Sequence, residues 1–205
     1  MGEQMSTDIT IVRGDTFLMA ARWEQPKFMY ATITGITQTA PVSITATAHG
    51  VPNGWRVAIQ SVKGMTDINA SDLKDKSFLQ ATVVDANTIE LNTVNAIDFK
   101  PYTSGGVVVY RTPVDLTGYT ARMQVRDKVG GTLLASSEAG DSPLNIISLT
   151  VDATAKTVGI AVAATDTAAL TWKKGYYDLE MVSAGGKVTK LLSGTITVSD
   201  EVTTV

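Results

Sequence analysis

The stretch YTARMQVR at residues 119–126 decides the fold class of this chain. Apolar residues occupy its odd positions, and polar residues occupy its even positions from 120 to 126. Because successive side chains of a strand point to opposite faces, this alternation predicts a half-buried β-strand. Residues 17–23 repeat the pattern, with Phe17, Met19, Ala21 and Trp23 on one predicted face.

The segment between these two strands carries strand signals of its own. Residues 42–46 and 55–59 alternate in the same way, and Pro52-Asn53-Gly54 forms a turn signal between them. Further strand patterns follow up to residue 110. A structureless connection of this length is improbable inside a compact domain. We therefore predict an inserted small β-barrel or sandwich module of five or six strands at residues 31–110, inside a discontinuous domain formed by residues 1–30 and 111–205.

The C-terminal part completes the predicted domain. Alternating segments recur at residues 147–151, 158–162 and 177–181. One short helix is predicted at Thr165–Leu170, with Asp166 capping its start and Gly175 closing its far end. Strands at this spacing predict an all-β, immunoglobulin-like antiparallel sandwich.

Composition narrows the classes of partner. The chain has 205 residues, 44% of them hydrophobic and 18% charged, which is typical of a globular protein. A formal net charge of -3 provides no positive field for a phosphate backbone, so we expect no nucleic acid partner. No apolar run approaches the roughly 20 residues that cross a bilayer, so we expect no membrane partner. The chain has no cysteine, which excludes disulfides, and we expect it to fold in a reducing cytoplasm.

Candidate metal and nucleophile sites are weak. His49 is the one histidine and lies before a turn, where we interpret it as a loop residue that bonds locally. Residues 67–71 begin like a calcium loop, but Asp72 stands where that loop needs glycine and Phe78 stands at the position of its distal glutamate. We predict no catalytic residue, no metal ion and no cofactor. Gly2 fits a myristoylation pattern, but no polybasic segment accompanies it, so we expect an N-terminal arm instead.

Three further patterns have structural and functional interpretations. Arg13-Gly14-Asp15 is an integrin-binding tripeptide elsewhere, but here a strand follows at once and a tight turn is expected. Asp178 and Glu180 share one predicted strand face, as an acid/base pair would, although solvated surface is the preferred interpretation. Aromatic side chains that could stack on sugars are Trp172, Tyr176 and Tyr102, and we expect Trp172 to pack against the end of the helix.

Several stretches resemble known virus domains. VRGDTF at 12–17, DLTGYT at 115–120, GYYDLE at 175–180 and LLSGTITV at 191–198 resemble the immunoglobulin-like domain at the N-terminus of phage upper baseplate proteins. TATAHGVPNG at 45–54, with GMTDIN at 64–69, is similar to a small β module of phage tail proteins, described by its likeness to a half-domain of ubiquitin-activating enzymes. The chain has no cysteine, so that enzyme chemistry does not carry over.

The resemblance implies attachment to a virus particle. We expect a non-enzymatic virion structural protein, an adaptor or decoration subunit of the tail, baseplate or neck, assembled in the host cytoplasm. Its expected partners are other virion proteins and further copies of itself on a symmetric scaffold. The alternatives are a capsid decoration protein and a carbohydrate- or receptor-binding tail protein.

Overall fold

The computed structural model describes residues 5–201. Within that range the chain forms sixteen strands, β1 to β16 in chain order, at Met5–Ser6, Ile9–Val12, Phe17–Arg22, Glu24–Thr32, Gly35–Ile36, Val42–Thr45, Arg56–Lys63, Leu79–Asp85, Thr88–Leu91, Ser104–Pro113, Thr120–Arg126, Leu133–Ser136, Ile147–Asp152, Thr157–Val162, Lys174–Val182 and Val188–Ser199. One α-helix, α1, spans Ala164–Ala168. Short 3-10 helices lie at Thr66–Ile68, Asp75–Ser77 and Ala139–Asp141. The prediction of an all-β fold with one short helix is confirmed.

The described chain divides into two compact units. Residues 5–23 and 113–201 form one, the outer unit, and residues 24–112 form the other, the inserted unit. Each unit has its own cluster of buried apolar side chains. The inserted unit begins at Glu24, whereas the sequence predicted residue 31. Residues 24–30 belong to it because they lie in β4, a neighbour of β10 in the same sheet.

The outer unit is a sandwich of two sheets. One sheet has the order β1-β16-β15-β11-β12, with β2 also paired to β16, and the other has the order β13-β14-β3. Strand β11 pairs antiparallel with β15, so that Met123 lies opposite Leu179. Both side chains are buried, as is Ile160 of the facing sheet. The apolar alternation of the sequence thus faces a core shared by the two sheets.

The N-terminal strands pair parallel with the last strand. Residues of β1 and β2 lie beside β16, with Ile9 opposite Ile196. Asp8 fixes this pairing, because its carboxylate accepts hydrogen bonds from the backbone N–H and the hydroxyl of Thr195, at 2.9 and 2.8 Å. These two bonds lower the pKa of Asp8. The contact is tight: a Cβ at Gly194 would lie 2.3 Å from the carbonyl oxygen of Thr7.

The inserted unit contains a seven-stranded sheet with the order β4-β10-β7-β8-β9-β6-β5. Its core includes Ile44, Ile89 and Leu91, which are fully buried. The sequence predicted five or six strands in this unit. It missed β4, whose residues lack a clean alternation, and β5, which has only two residues.

The helix differs from the prediction in its capping. Helix α1 begins and ends earlier than Thr165–Leu170, and no side chain caps its N-terminus at Ala163. Asp166 therefore does not act as the predicted cap. Thr167 of the helix donates a 2.8 Å hydrogen bond to the carbonyl oxygen of Asp15. Gly175 lies inside β15 and does not close the helix. A Cβ at Gly175 would meet Val125 at 2.6 Å, so close strand packing explains this glycine better than capping does.

Candidate functional site

An open concavity of about 630 Å³ lies on the outward face of the six-stranded sheet of the outer unit. We call it the sheet groove. Strands β11 and β15 form its floor, and two connections form its walls. Its main polar lining residues are Arg122, Gln124, Arg126, Lys128, Glu138, Asp141, Tyr176, Asp178 and Glu180.

The floor of the sheet groove is built from facing pairs of side chains. Strand register places Arg122 opposite Glu180 and Gln124 opposite Asp178. The guanidinium Nε of Arg122 donates to Oε2 of Glu180 at 2.8 Å. From the neighbouring strand, the Nζ of Lys190 lies 2.8 Å from Oδ2 of Asp178. Cross-strand pairs of opposite charge therefore order the side chains of the floor.

One wall is held by a hydrogen-bond network around Asp141. Its Oδ2 accepts from the hydroxyl of Ser136 at 2.6 Å and from Nε2 of Gln124 at 3.1 Å. Arg126 continues the network, because it donates to Oε1 of Gln124 at 2.9 Å and to the carbonyl oxygen of Gly131 at 2.7 Å. Ser136 is fully buried beneath this loop. The network thus ties both connections to the sheet.

Tyr177 lies beneath the groove with its ring in the core. Its hydroxyl donates a 2.7 Å hydrogen bond to the carbonyl oxygen of Thr7. Burial, together with the negative charges of Asp8 and Asp178, raises the pKa of Tyr177 to about 12. The hydroxyl therefore stays protonated and serves as a structural donor that holds the N-terminal segment.

The sheet groove brings together three residues that the sequence singled out. Tyr176 is 44% exposed and lines it together with Asp178 and Glu180. Each of these two carboxylates is engaged in an ion pair on an exposed face. A glycosidase acid is instead held in apolar surroundings that keep it protonated. The arrangement suits recognition of a polar ligand through hydrogen bonds and ring contact better than proton transfer.

His49 lies in the inserted unit, and it joins two loops there. Its Nδ1 accepts a hydrogen bond from the backbone N–H of Val51 at 2.9 Å, so its Nε2 carries the proton that is donated to the carbonyl oxygen of Asp85 at 3.0 Å. The ring is 4% exposed. The local bond was predicted, and the second, long-range bond was not. With both nitrogens engaged, His49 has a structural role.

The polar loop at residues 67–71 uses its side chains for backbone contacts. Asn69 accepts from the N–H of Val62 at 2.9 Å and donates to its carbonyl oxygen at 3.0 Å. The Asn69 side chain therefore forms with β7 the pair of hydrogen bonds that the backbone of an adjacent strand would form. Among residues 5–201, no group of three or more His, Asp or Glu side chains is placed to hold a metal ion.

The remaining candidates lie in different places. Gly14 has a φ of +81°, so the predicted turn at Arg13-Gly14-Asp15 is confirmed. Trp172 is half-buried against the core of the outer unit. The hydroxyl of Tyr102 lies 3.0 Å from the carbonyl oxygen of Gly105, in the inserted unit. Gly2 lies outside the described residues.

The wall of the sheet groove was not predicted from the sequence. Ser136 and Asp141 follow β12 in a connection without periodicity, and no motif links them to Gln124. The outward polar residues of β11 were the one sequence pattern that indicated the groove, because such residues face either solvent or a covering loop.

Comparison with known proteins adds no relative: no protein-family model matches the chain, and neither does any curated protein. Within the part of the chain that the structure describes, no helix combines the length and apolar character needed to cross a membrane.

Proposed function

We propose that this protein is a non-enzymatic structural subunit of a bacteriophage particle, acting as an adaptor or decoration subunit of the tail, baseplate or neck. In this role the outer unit docks on a symmetric scaffold and the inserted unit contacts a neighbouring subunit or a fibre. Assembly takes place in the host cytoplasm. Each contact is weak, and repetition on the scaffold multiplies the binding.

One observation carries the proposal. The four stretches that resemble the upper baseplate domain all fall in the outer unit, whereas the stretches that resemble the small tail module fall in the inserted unit. In the outer unit, the stretches at 175–180 and 191–198 form the adjacent strands β15 and β16. The division of the fold thus coincides with the division between the two resemblances, which supports an attachment domain that carries a second module.

Quantitative mass spectrometry of purified particles tests the proposal. We expect the protein in particles from cells that carry its gene, at a constant ratio to the major tail protein across preparations. Gold labelling then separates a position at the tail, baseplate or neck from a position on the capsid. Absence from purified, infective particles would contradict the proposal.

The sheet groove favours a second candidate function, which is glycan recognition. Tyr176 offers an exposed ring beside ordered carboxylates, and this combination is suited to sugar hydroxyls and to the apolar face of a sugar ring. Binding of the full chain to a glycan array tests this candidate. Tyr176→Ala should abolish any signal, whereas Tyr30→Ala, at an exposed tyrosine of the inserted unit, should preserve it.

A paired substitution separates recognition from hydrolysis. Asp178→Asn combined with Glu180→Gln removes both carboxylates and keeps the shape of the side chains. We expect any activity of the particle towards a polysaccharide to be unchanged by this double substitution. Loss of a hydrolytic activity would instead identify the two carboxylates as an acid/base pair.

A further inference from the structure

Strand β3 is an edge strand with an unusual lack of protection. It pairs along its whole length with β14 and has no strand partner on its other side in the described part of the chain. Its sequence is FLMAAR, which contains no lysine and no proline, and its register with β14 is unbroken. Natural edge strands are blunted by such residues or by bulges, because a bare edge recruits further strands.

The outward face of β3 is apolar at Leu18 and Ala20, and Arg22 follows on the same face at the end of the strand. Leu18 is 73% exposed, and Ala20 is exposed beside it. On β14 these two residues lie opposite Ala161 and Gly159. Leu18 is therefore the one large side chain among these four positions.

The charges at the two ends of the strand indicate what pairs with it. Asp15 precedes β3 and is exposed, and Arg22 ends it. Neither side chain has an ion-pair partner among residues 5–201, whose ion pairs involve other residues. In an antiparallel pair of two β3 strands, the end of each strand that carries Arg22 would lie beside the end of the other strand that follows Asp15.

We propose that β3 pairs antiparallel with β3 of a second copy of this chain. The two-fold axis passes near Met19, so that Leu18 of each copy lies opposite Ala20 of the other. Arg22 then lies opposite Thr16 of the second copy, next to its Asp15. The contact is isologous and closes as a dimer, in which the two three-stranded sheets become one six-stranded sheet.

The opposite edge of the same sheet, strand β13, lacks this charge complementarity between two copies. Strand β13 carries a single charged residue, Asp152, at one end, so antiparallel pairing of two copies there would bring no opposite charges together. The inference does not depend on a place in a virus particle. Its failure would leave the proposed function standing, and failure of the proposed function would leave the dimer.

Sedimentation equilibrium of the full chain, from micromolar to millimolar concentration, tests the pairing. We expect a reversible monomer–dimer equilibrium. Leu18→Lys places a charge on the exposed edge and should raise the dissociation constant by about tenfold or more. Val84→Lys is the matched control, because Val84 is an exposed strand residue of the inserted unit, and it should change the constant by less than about twofold.

A charge exchange tests the register. Arg22→Asp sets two acidic groups together and should weaken the dimer, and adding Asp15→Arg in the same chain should restore it. A short bis-maleimide should crosslink Ala20→Cys but not Val84→Cys. In the proposed register the two copies of residue 20 are diagonal neighbours, which lie about 7–8 Å apart. The chain has no cysteine of its own, so the introduced thiol is the one that reacts. A wild-type chain that stays monomeric, a dimer indifferent to Leu18→Lys, or a charge exchange without recovery would each overturn the proposal.

Discussion

In the outer unit two sheets face each other across a shared core, whereas in the inserted unit a single seven-stranded sheet supplies most of the buried apolar side chains. Loops of the inserted unit are fixed by polar side chains that bond to distant backbone groups. Trp55 donates to the carbonyl oxygen of Arg111 at 2.6 Å, and Tyr110 donates to that of His49 at 3.0 Å. Asn69 adds its paired bonds to Val62.

The outer unit also buries polar side chains, among them Ser136 and Thr167, but in addition it presents ion pairs on an outer sheet face. Ion pairs order the floor of the sheet groove, and the edge strand β3 remains without a second partner in the described range. The difference teaches that the two units are suited to different tasks. A sandwich can keep one edge and one outer face available for contacts because its core is closed by the facing sheet, whereas the inserted unit holds its loops in one defined shape.

The largest effect is expected from Gly64→Ala in the inserted unit. Gly64 has a φ of +82°, and an added Cβ would lie 2.2 Å from the carbonyl oxygen of Pro101. We expect the free energy of unfolding of this unit to fall by about 3–5 kcal/mol. Gly54→Ala is the control: its φ is +72°, but its nearest neighbour is 3.7 Å away, so it should cost only about 1 kcal/mol. Urea unfolding followed by hydrogen exchange measures both, and equal costs would contradict the close contact.

His49→Ala should have the next largest effect. The substitution leaves the N–H of Val51 and the carbonyl oxygen of Asp85 without their buried partner, so the inserted unit should lose about 2–3 kcal/mol of stability. Asn92→Ala removes an exposed amide that donates to Thr82, and it should cost less than about 0.5 kcal/mol. Denaturant titration of the two variants compares them. A cost for His49→Ala as small as that of the control would show that the histidine does not join the loops.

Tyr177→Phe should have a moderate, pH-dependent effect on the outer unit. Loss of the hydrogen bond to Thr7 should cost about 1 kcal/mol at neutral pH. The pKa of about 12 in the folded state exceeds the value of about 10 expected in the unfolded chain, so the unfolded state releases this proton first. The stabilisation from Tyr177 is therefore complete below pH 10 and is lost as the pH rises towards 12.

The measurement for Tyr177 is the stability of the outer unit between neutral and strongly alkaline pH. Tyr177→Phe should flatten the alkaline decline relative to the wild type, whereas Tyr176→Phe, at an exposed ring, should leave the decline unchanged. A decline of the same slope in the wild type and in Tyr177→Phe would contradict the role given to this hydroxyl.

The smallest effect is expected on the floor of the sheet groove. Arg122→Gln removes the 2.8 Å ion pair with Glu180, and because the pair is partly exposed it should cost less than about 1 kcal/mol. Most of that cost should disappear at high salt, as expected for an exposed pair. Thermal unfolding at low and high ionic strength measures it. A larger, salt-independent loss would mean that the groove residues support the core.

The sequence predicted the strands in which one face is buried. The alternation at 119–126 became β11, and the segments at 147–151 and 158–162 became β13 and β14. These predictions succeed because a half-buried strand requires apolar and polar residues to alternate along the sequence, and this alternation can be recognised locally. The charged and polar positions of β11 and β15 were likewise predicted to face outward, and they form the floor of the sheet groove.

Other features depend on contacts between residues distant in sequence. Strand β4 has no clean alternation, and its place in the sheet depends on pairing with β10. The parallel pairing of β2 with β16 joins segments near opposite ends of the described chain. The bond from Thr167 to the carbonyl oxygen of Asp15 also links residues that are distant in sequence. The wall of the groove brings Asp141 to Gln124, for which a single sequence offers no local signal.

Hydrogen exchange of the full chain, compared between Leu179→Ala and Ile89→Ala, tests most directly whether the two cores are separate. Each residue is fully buried, in the outer and the inserted unit respectively, and each truncation should cost about 2–5 kcal/mol. We predict that Leu179→Ala lowers protection only in residues 5–23 and 113–201, and that Ile89→Ala lowers it only in residues 24–112. Equal loss of protection in both units from either substitution would contradict two separate cores.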